Sequence, residues 1–164
     1  MAWAFMTSKP EPRVEARGQG ALRTRAMRLL ARREHSREEL RRKLAAKAQE
    51  GEDIETTLDD LCREGWLSDI RYAEQAIRAK SRRFGRRMLE HRLREKGVSE
   101  EAIAQAFRSA GEEGASSLDR VWASRFRAPP SDEREKARQV RFLQSRGFGL
   151  EEIFRHLKNI REKP

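Results

Sequence analysis

From residue 21 onward, apolar side chains recur at steps of three and four, and no run alternates in the two-residue rhythm of a strand. Leu22, Ala26 and Leu30 predict a helix over Ala21–Arg33. Ser36-Arg37-Glu38-Glu39 has the form of a capping box and opens a helix with Leu40 and Leu44 on one face. Asp53 can cap the next helix, whose apolar stripe is Ile54, Leu58, Leu61 and Cys62. Gly65 ends it, and Ser68 caps a helix carrying Tyr72, Ala73, Ala76 and Ile77. Gly85 precedes a helix with Leu89 and Leu93, Gly97 suits a left-handed stop, and Ser99 caps a helix with Ile103 and Phe107. Leu118, Val121, Trp122 and Phe126 line another helix, closed by Pro129-Pro130. Ser131 starts a helix with Val140 and Leu143, and after Gly147-Phe148-Gly149 the last helix carries Ile153, Phe154 and Leu157. The pattern predicts nine short helices.

The pattern repeats. A shift of 49 carries Arg33, His35, Ser36, Leu40 and Leu44 onto Arg82, Phe84, Gly85, Leu89 and Leu93. A further shift of 64 finds Arg146, Phe148, Gly149, Ile153 and Leu157. A rival register pairs Asp69, Tyr72 and Ala73 with Asp119, Trp122 and Ala123, and the sequence alone leaves the two open. Either way the expected fold is all-α, an elongated curved array of about three tandem three-helix repeats, each covering part of its neighbour. The expected division is a flexible tail over 1–20, with repeats over 21–67, 68–112 and 113–164. Gly111 to Ser117 is read as a linker.

Composition sharpens this picture. Only 37% of the 164 residues are hydrophobic and 39% are charged, against about 45–50% and about 25% in ordinary domains, too polar for one thick core. Thirty-seven Lys and Arg against 27 Asp and Glu leave +10, which makes a polyanion the first partner to consider. Charge follows the repeat: 22–47 hold ten basic and three acidic residues, 48–69 hold one and eight, and 70–96 return to ten and three. The basic clusters are Arg28, Arg32, Arg33, Arg37 and Arg41, then Arg78, Arg82, Arg83, Arg86 and Arg87, then Arg138, Arg141 and Arg146. The same corner is basic in each copy, and Arg outnumbers Lys there, which suits bidentate contact with phosphate or carboxylate. These thirteen arginines are the candidate partner- or nucleic-acid-binding residues.

Candidate chemistry is sparse. His35, His91 and His156 form no constellation and are expected at surface or edge positions. Cys62, the single cysteine, is expected in the core, where no histidine activates it. Adjacent carboxylates such as Glu38-Glu39 and Glu100-Glu101 point about 100° apart on a helix and do not converge on one atom. Most aromatic residues (Trp66, Tyr72, Phe107, Trp122, Phe126, Phe154) are expected to pack inward, with Phe84 and Phe148 as partner contacts. Neither a catalytic site nor a metal or other cofactor is expected. No window approaches eighteen apolar residues and the first six residues lack a signal's basic region, so a cytoplasmic setting is expected.

Glu64-Gly-Trp-Leu-Ser-Asp-Ile-Arg-Tyr-Ala73, with Arg82-Arg-Phe-Gly-Arg-Arg87 and Leu93-Arg-Glu-Lys-Gly-Val98, resembles the RecX family of bacterial recombination regulators. Leu29-Leu-Ala-Arg-Arg-Glu-His-Ser-Arg-Glu-Glu-Leu40 and Phe142-Leu-Gln-Ser-Arg-Gly-Phe148 resemble the matching parts of that family's first and third repeats. The resemblance implies a non-enzymatic regulator that binds the RecA recombinase along its filament groove and suppresses its ATPase, strand-exchange and coprotease activities, limiting recombination and the SOS response. A monomer with weak, nonspecific contact to single- or double-stranded DNA is expected beside it. A helix-turn-helix DNA-binding protein is the alternative, although no single helix carries the side chains for base edges.

Overall fold

A computed structural model describes the backbone of residues 14–114 and 118–162, and side chains within residues 20–111 and 118–162. The described residues form nine helices and no strand: α1 (Val14–Leu30), α2 (Arg37–Ala45), α3 (Ile54–Arg63), α4 (Asp69–Lys80), α5 (Arg86–Glu95), α6 (Glu100–Gly114), α7 (Leu118–Ala123), α8 (Glu133–Ser145) and α9 (Leu150–Glu162). Helix α1 begins at Val14, seven residues ahead of the predicted start, so it enters the span expected as a tail; residues 1–13 lie outside the described residues. No described helix is long and apolar enough to cross a membrane.

The caps follow the chemistry of short polar side chains. Ser36, Asp53 and Ser68 accept from the amides of Glu39, Thr56 and Arg71. The capping box is completed on one side only, because the Glu39 carboxylate is held by Arg33 and Lys43. Asp132 rather than Ser131 caps α8, while Ser131 binds Glu135. At Gly111 the backbone leaves helical geometry, with φ 52° and ψ −147°, inside the segment read as a linker.

Packing divides into three separate cores. Leu22, Ala26, Leu40, Leu44, Leu58, Leu61 and Leu67 form the first, within α1–α3 and the turn that follows. The second gathers Ala73, Ile77, Leu93, Val98, Ile103 and Ala106 from α4 to α6. Leu118, Val121, Leu143, Phe148, Ile153 and Leu157 form the third, from α7 to α9. Among the described residues, substantial helix-on-helix packing occurs inside these triplets and not between them. This decides the register. The turn after α5 and the turn after α8 share one bonding pattern: Gly97 and Gly147 at positive φ, Val98 N bonded to Leu93 O, and Phe148 N to Leu143 O. Gly147 therefore corresponds to Gly97, α7 opens the third copy, and the shift of 64 is not the structural one.

Narrow polar contacts join the units. In the first junction Ser36 Oγ donates to Lys96 O at 2.7 Å, Arg37 N to Asp69 Oδ1 at 2.7 Å, and Arg71 Nε to Glu34 Oε1 at 2.8 Å. In the second, Gly85 N donates to Arg146 O at 2.6 Å. Both junctions bring the N-cap of one repeat's middle helix to the turn after the next repeat's middle helix. Neither turn leaves room for a side chain: a Cβ on Gly97 would lie 2.6 Å from Glu38 Cβ, and one on Gly147 would lie 2.5 Å from Met88 Cβ.

Several side chains depart from expectation, each for a local reason. Cys62 is exposed, because the buried face of α3 is centred on Thr57, Leu58 and Leu61 and turns position 62 toward Arg37, whose Nη1 lies 3.7 Å from the sulfur. His35 is 2% exposed, drawn into the first junction beside Ser36. Its Nδ1 lies 2.9 Å from Arg33 O and its Nε2 2.9 Å from Lys43 Nζ. A carbonyl can only accept and an ammonium only donate, so the neutral ring satisfies both. His156 is buried too, 2.7 Å from Asp119 Oδ1 and edge-on to Trp122. Trp66 and Phe154 lie exposed rather than packed, and Phe148 is buried in the third core, so it is no partner contact.

Two measurements test this account. Gly147→Ala must force apart two backbones as well as hold a positive φ, whereas Gly65→Ala meets open space at a similar φ of 78°. Urea titration is expected to show a loss of about 1 kcal/mol for Gly65→Ala and clearly more, about 2 kcal/mol or above, for Gly147→Ala. Burial pushes the His35 pKa below its ordinary value, helped by the charges of Arg33 and Lys43 and opposed by the hydrogen bond to Arg33 O and by Glu39. A depressed histidine pKa stabilises the fold above about pH 6.5, and that contribution is lost as the pH falls below it, by at most about 1.4 kcal/mol per pH unit. Stability measured from pH 8 to pH 5 is expected to fall more in the wild type than in His35→Gln.

Candidate functional site

The thirteen candidate arginines fall into two groups once their neighbours are known. Six are engaged inside the fold. Arg33 is bound to Glu39, Arg41 is paired with Glu38, and Arg37 bridges to Glu55 and Asp59 of α3. These bonds, from Arg41 and Arg42 to Glu38 and from Arg33 to Glu39, hold both carboxyl pKa values down to about 2. Arg86 reaches Glu90 at 2.6 Å and covers the Phe107 ring. Arg138 lies over Phe126 and 3.9 Å from Glu135. Arg146 is half-buried, stacked over Phe84 across the second junction and over Phe142 of its own helix, with Arg92 on Phe84 at 3.9 Å from the ring centre. Phe84 is thus covered by guanidinium groups from two repeats.

The other seven, Arg28, Arg32, Arg78, Arg82, Arg83, Arg87 and Arg141, are exposed and make no ion pair with any described residue. Their positions follow from the helix breaks. Arg28 lies in the last turn of α1 and Arg32 in the break before α2; Arg78 lies in the last turn of α4, Arg82 and Arg83 in the break before α5, and Arg87 in its first turn. The corresponding break of the third copy, between α7 and α8, carries Arg125 and Arg127, both exposed. The sequence reading passed over these two because the third register was open; only Arg141 of its third cluster is uncommitted. Exposed guanidinium groups on one corner of successive units can fork onto phosphate or carboxylate without first breaking an internal pair.

No group of three or more His, Cys, Asp or Glu among the described residues is placed to hold a metal ion. His91 is exposed and sits 3.5 Å from Glu95.

Comparison with known proteins agrees with this three-unit architecture. Residues 23–61 match the first three-helix domain of RecX, 68–106 the second, and 112–157 the third. The chain belongs to the RecX family. The regulatory protein RecX of Chromobacterium violaceum is 39% identical over 133 residues, covering 81% of this chain and 86% of that protein. RecX of Neisseria meningitidis serogroup C is 39% identical over 141 residues, covering 86% and 92%. The crystal structure of RecX from Lactobacillus salivarius superposes with a TM-score of 0.74 at 16% identity over 89% of this chain and 98% of that one. A second RecX crystal structure gives 0.70 at 20% identity, covering 88% and 74%. The chain is thus a RecX-family regulatory protein built from three tandem helical domains.

The two groups of arginines separate by measurement. The quadruple Arg78, Arg82, Arg83 and Arg87→Ala variant is expected to keep its urea midpoint within about 0.5 kcal/mol of the wild type, as exposed unpaired residues do. Arg146→Ala is expected to cost about 1 kcal/mol, having lost two aromatic contacts at a junction. Equal losses from the two variants would contradict the division.

Proposed function

We propose that this protein binds the RecA recombinase as its nucleoprotein filament, along the groove, and suppresses ATP hydrolysis, strand exchange and coprotease activity, thereby limiting recombination and the SOS response. The observation that carries this reading is the set of uncommitted arginines at the same corner of the first two repeats, continued by Arg125 and Arg127 in the third. Membership of a family of regulatory proteins supports it. The protein acts as a cytoplasmic monomer, and its DNA contact is weak and nonspecific, made by arginines that displace counterions from phosphate.

Inhibition needs no chemistry on a substrate. Several modest contacts carried by one chain bind with an avidity that can exceed each alone by about 10²–10⁴. A chain bridging neighbouring protomers favours one filament state, and it shifts the equilibrium only by its difference in affinity for the two. Protomer movements that accompany turnover are then opposed.

Single-stranded-DNA-dependent ATP hydrolysis by RecA is the test. Intact protein is expected to slow it, and the quadruple arginine variant to need about tenfold or more higher concentration for the same effect. No inhibition by the intact protein would overturn the reading. A footprint on one specific duplex would favour a helix-turn-helix DNA-binding protein instead.

A further inference from the structure

A recess of about 240 Å³ lies between α4 and α5 in the second repeat. Its floor is aliphatic: Ala76 and Ile77 from α4, Leu89 and Leu93 from α5, with Tyr72 at one side. Lys80, Arg92 and Lys96 stand around it. One carboxylate, Glu95, is also at the rim, 3.5 Å from His91 Nε2. Lys80 and Lys96 make no ion pair with any described residue. An apolar cavity of about 150 Å³ can take a benzene ring, so this recess has room for one large apolar side chain.

The third repeat shows what such a crevice takes. Register through Gly97 and Gly147 places Phe142 where the second repeat has Arg92. There the corresponding space between the first two helices is filled by the protein's own rings: Phe126 packs edge-on to Phe142 at 5.3 Å and lies 6.4 Å from Trp122. In the first repeat Arg25 reaches from α1 to Lys47 O just past the end of α2. The second repeat has Ala76 and the cations instead and leaves the space open.

We propose that this recess is a docking site for an acidic segment of a partner protein, which inserts one aromatic or branched aliphatic side chain between α4 and α5 while its carboxylates meet Lys80, Arg92 and Lys96. A protein segment fits better than a nucleic acid. The floor offers aliphatic carbon rather than a stacking face, and Phe84 beside it is already covered by Arg92 and Arg146. The proposal does not rest on the RecA reading, because its test contains no recombinase.

The test is fluorescence anisotropy with labelled Asp-Glu-Glu-Phe-Glu-Asp and the same peptide with Ala in place of Phe, titrated with the full chain. The Phe peptide is expected to bind at least about tenfold more tightly, the contribution of one buried aromatic side chain. Ala76→Phe is expected to fill the recess and weaken the Phe peptide to the level of the Ala peptide. Should Ala76→Phe fail to fold by circular dichroism, the surface variant Lys80→Glu with Lys96→Glu replaces it, with an expected loss of tenfold or more. Equal binding of the two peptides, or unchanged binding by the folded variants, would overturn the proposal. Displacement of the Phe peptide by a dT oligonucleotide from the wild type, absent in the folded variants, would assign the recess to nucleic acid and overturn it equally.

Discussion

The arrangement of this molecule depends on two close approaches at glycine turns. In each, a turn with a positive-φ glycine is pressed against the start of the preceding repeat's middle helix: Gly97 on Glu38, and Gly147 on Met88. A side chain at either glycine has nowhere to go. The three cores share no residue, so the relative placement of the repeats is left to these contacts, to the hydrogen bonds beside them, and to the Arg71–Glu34 ion pair and the Arg146–Phe84 stacking. At such junctions specificity comes from shape and from backbone groups that need partners. This reconciles a chain too polar for one thick core with a tandem architecture, each unit being small and the joints polar.

Much of the fold was legible because helix signals are local. Ser36, Asp53 and Ser68 cap where short polar side chains should, and the Leu40–Leu44 and Leu89–Leu93 pairs point inward. Failures arose where a tertiary contact overrode local pattern. His35 sits beside a cap, yet the junction closes over it. Cys62 follows Leu58 by four residues, yet the face of α3 is centred one position away. The third register was obscured because α8 runs thirteen residues against ten in α5, which starts the helix early and moves its cap away from the place that Gly85 marks in the second repeat. No pattern of charge could tell Arg146, which stacks on Phe84 of the preceding repeat, from the exposed Arg141, since that contact is made across a junction.

The alternation of charge along the chain now has two causes. Part of it is internal: α2 sends Arg37 to Glu55 and Asp59 on the acidic α3, and α5 sends Arg94 to Glu100 at the start of α6. Exposed pairs of this kind contribute at most about 1 kcal/mol each, so they organise neighbouring helices more than they stabilise them. The remainder is the exposed set at the helix breaks, which makes no ion pair with any described residue. In the proposed account, binding falls to that set, and its spacing is fixed by the glycine contacts. A RecX-family array whose units swung freely would lose the advantage of carrying several contacts on one chain.

Rigidity across the junctions is therefore the central claim, and a distance measurement tests it directly. Cys62 is the single cysteine and is exposed in the first repeat, and Lys158 is exposed on α9 of the third. Spin labels on Cys62 and on Lys158→Cys, read by double electron–electron resonance, report the span of the array. One narrow distance distribution, unchanged between low salt and 0.5 M salt (about a 4 Å screening length), is expected if backbone and glycine contacts hold the repeats. A broad or salt-dependent distribution would contradict the account.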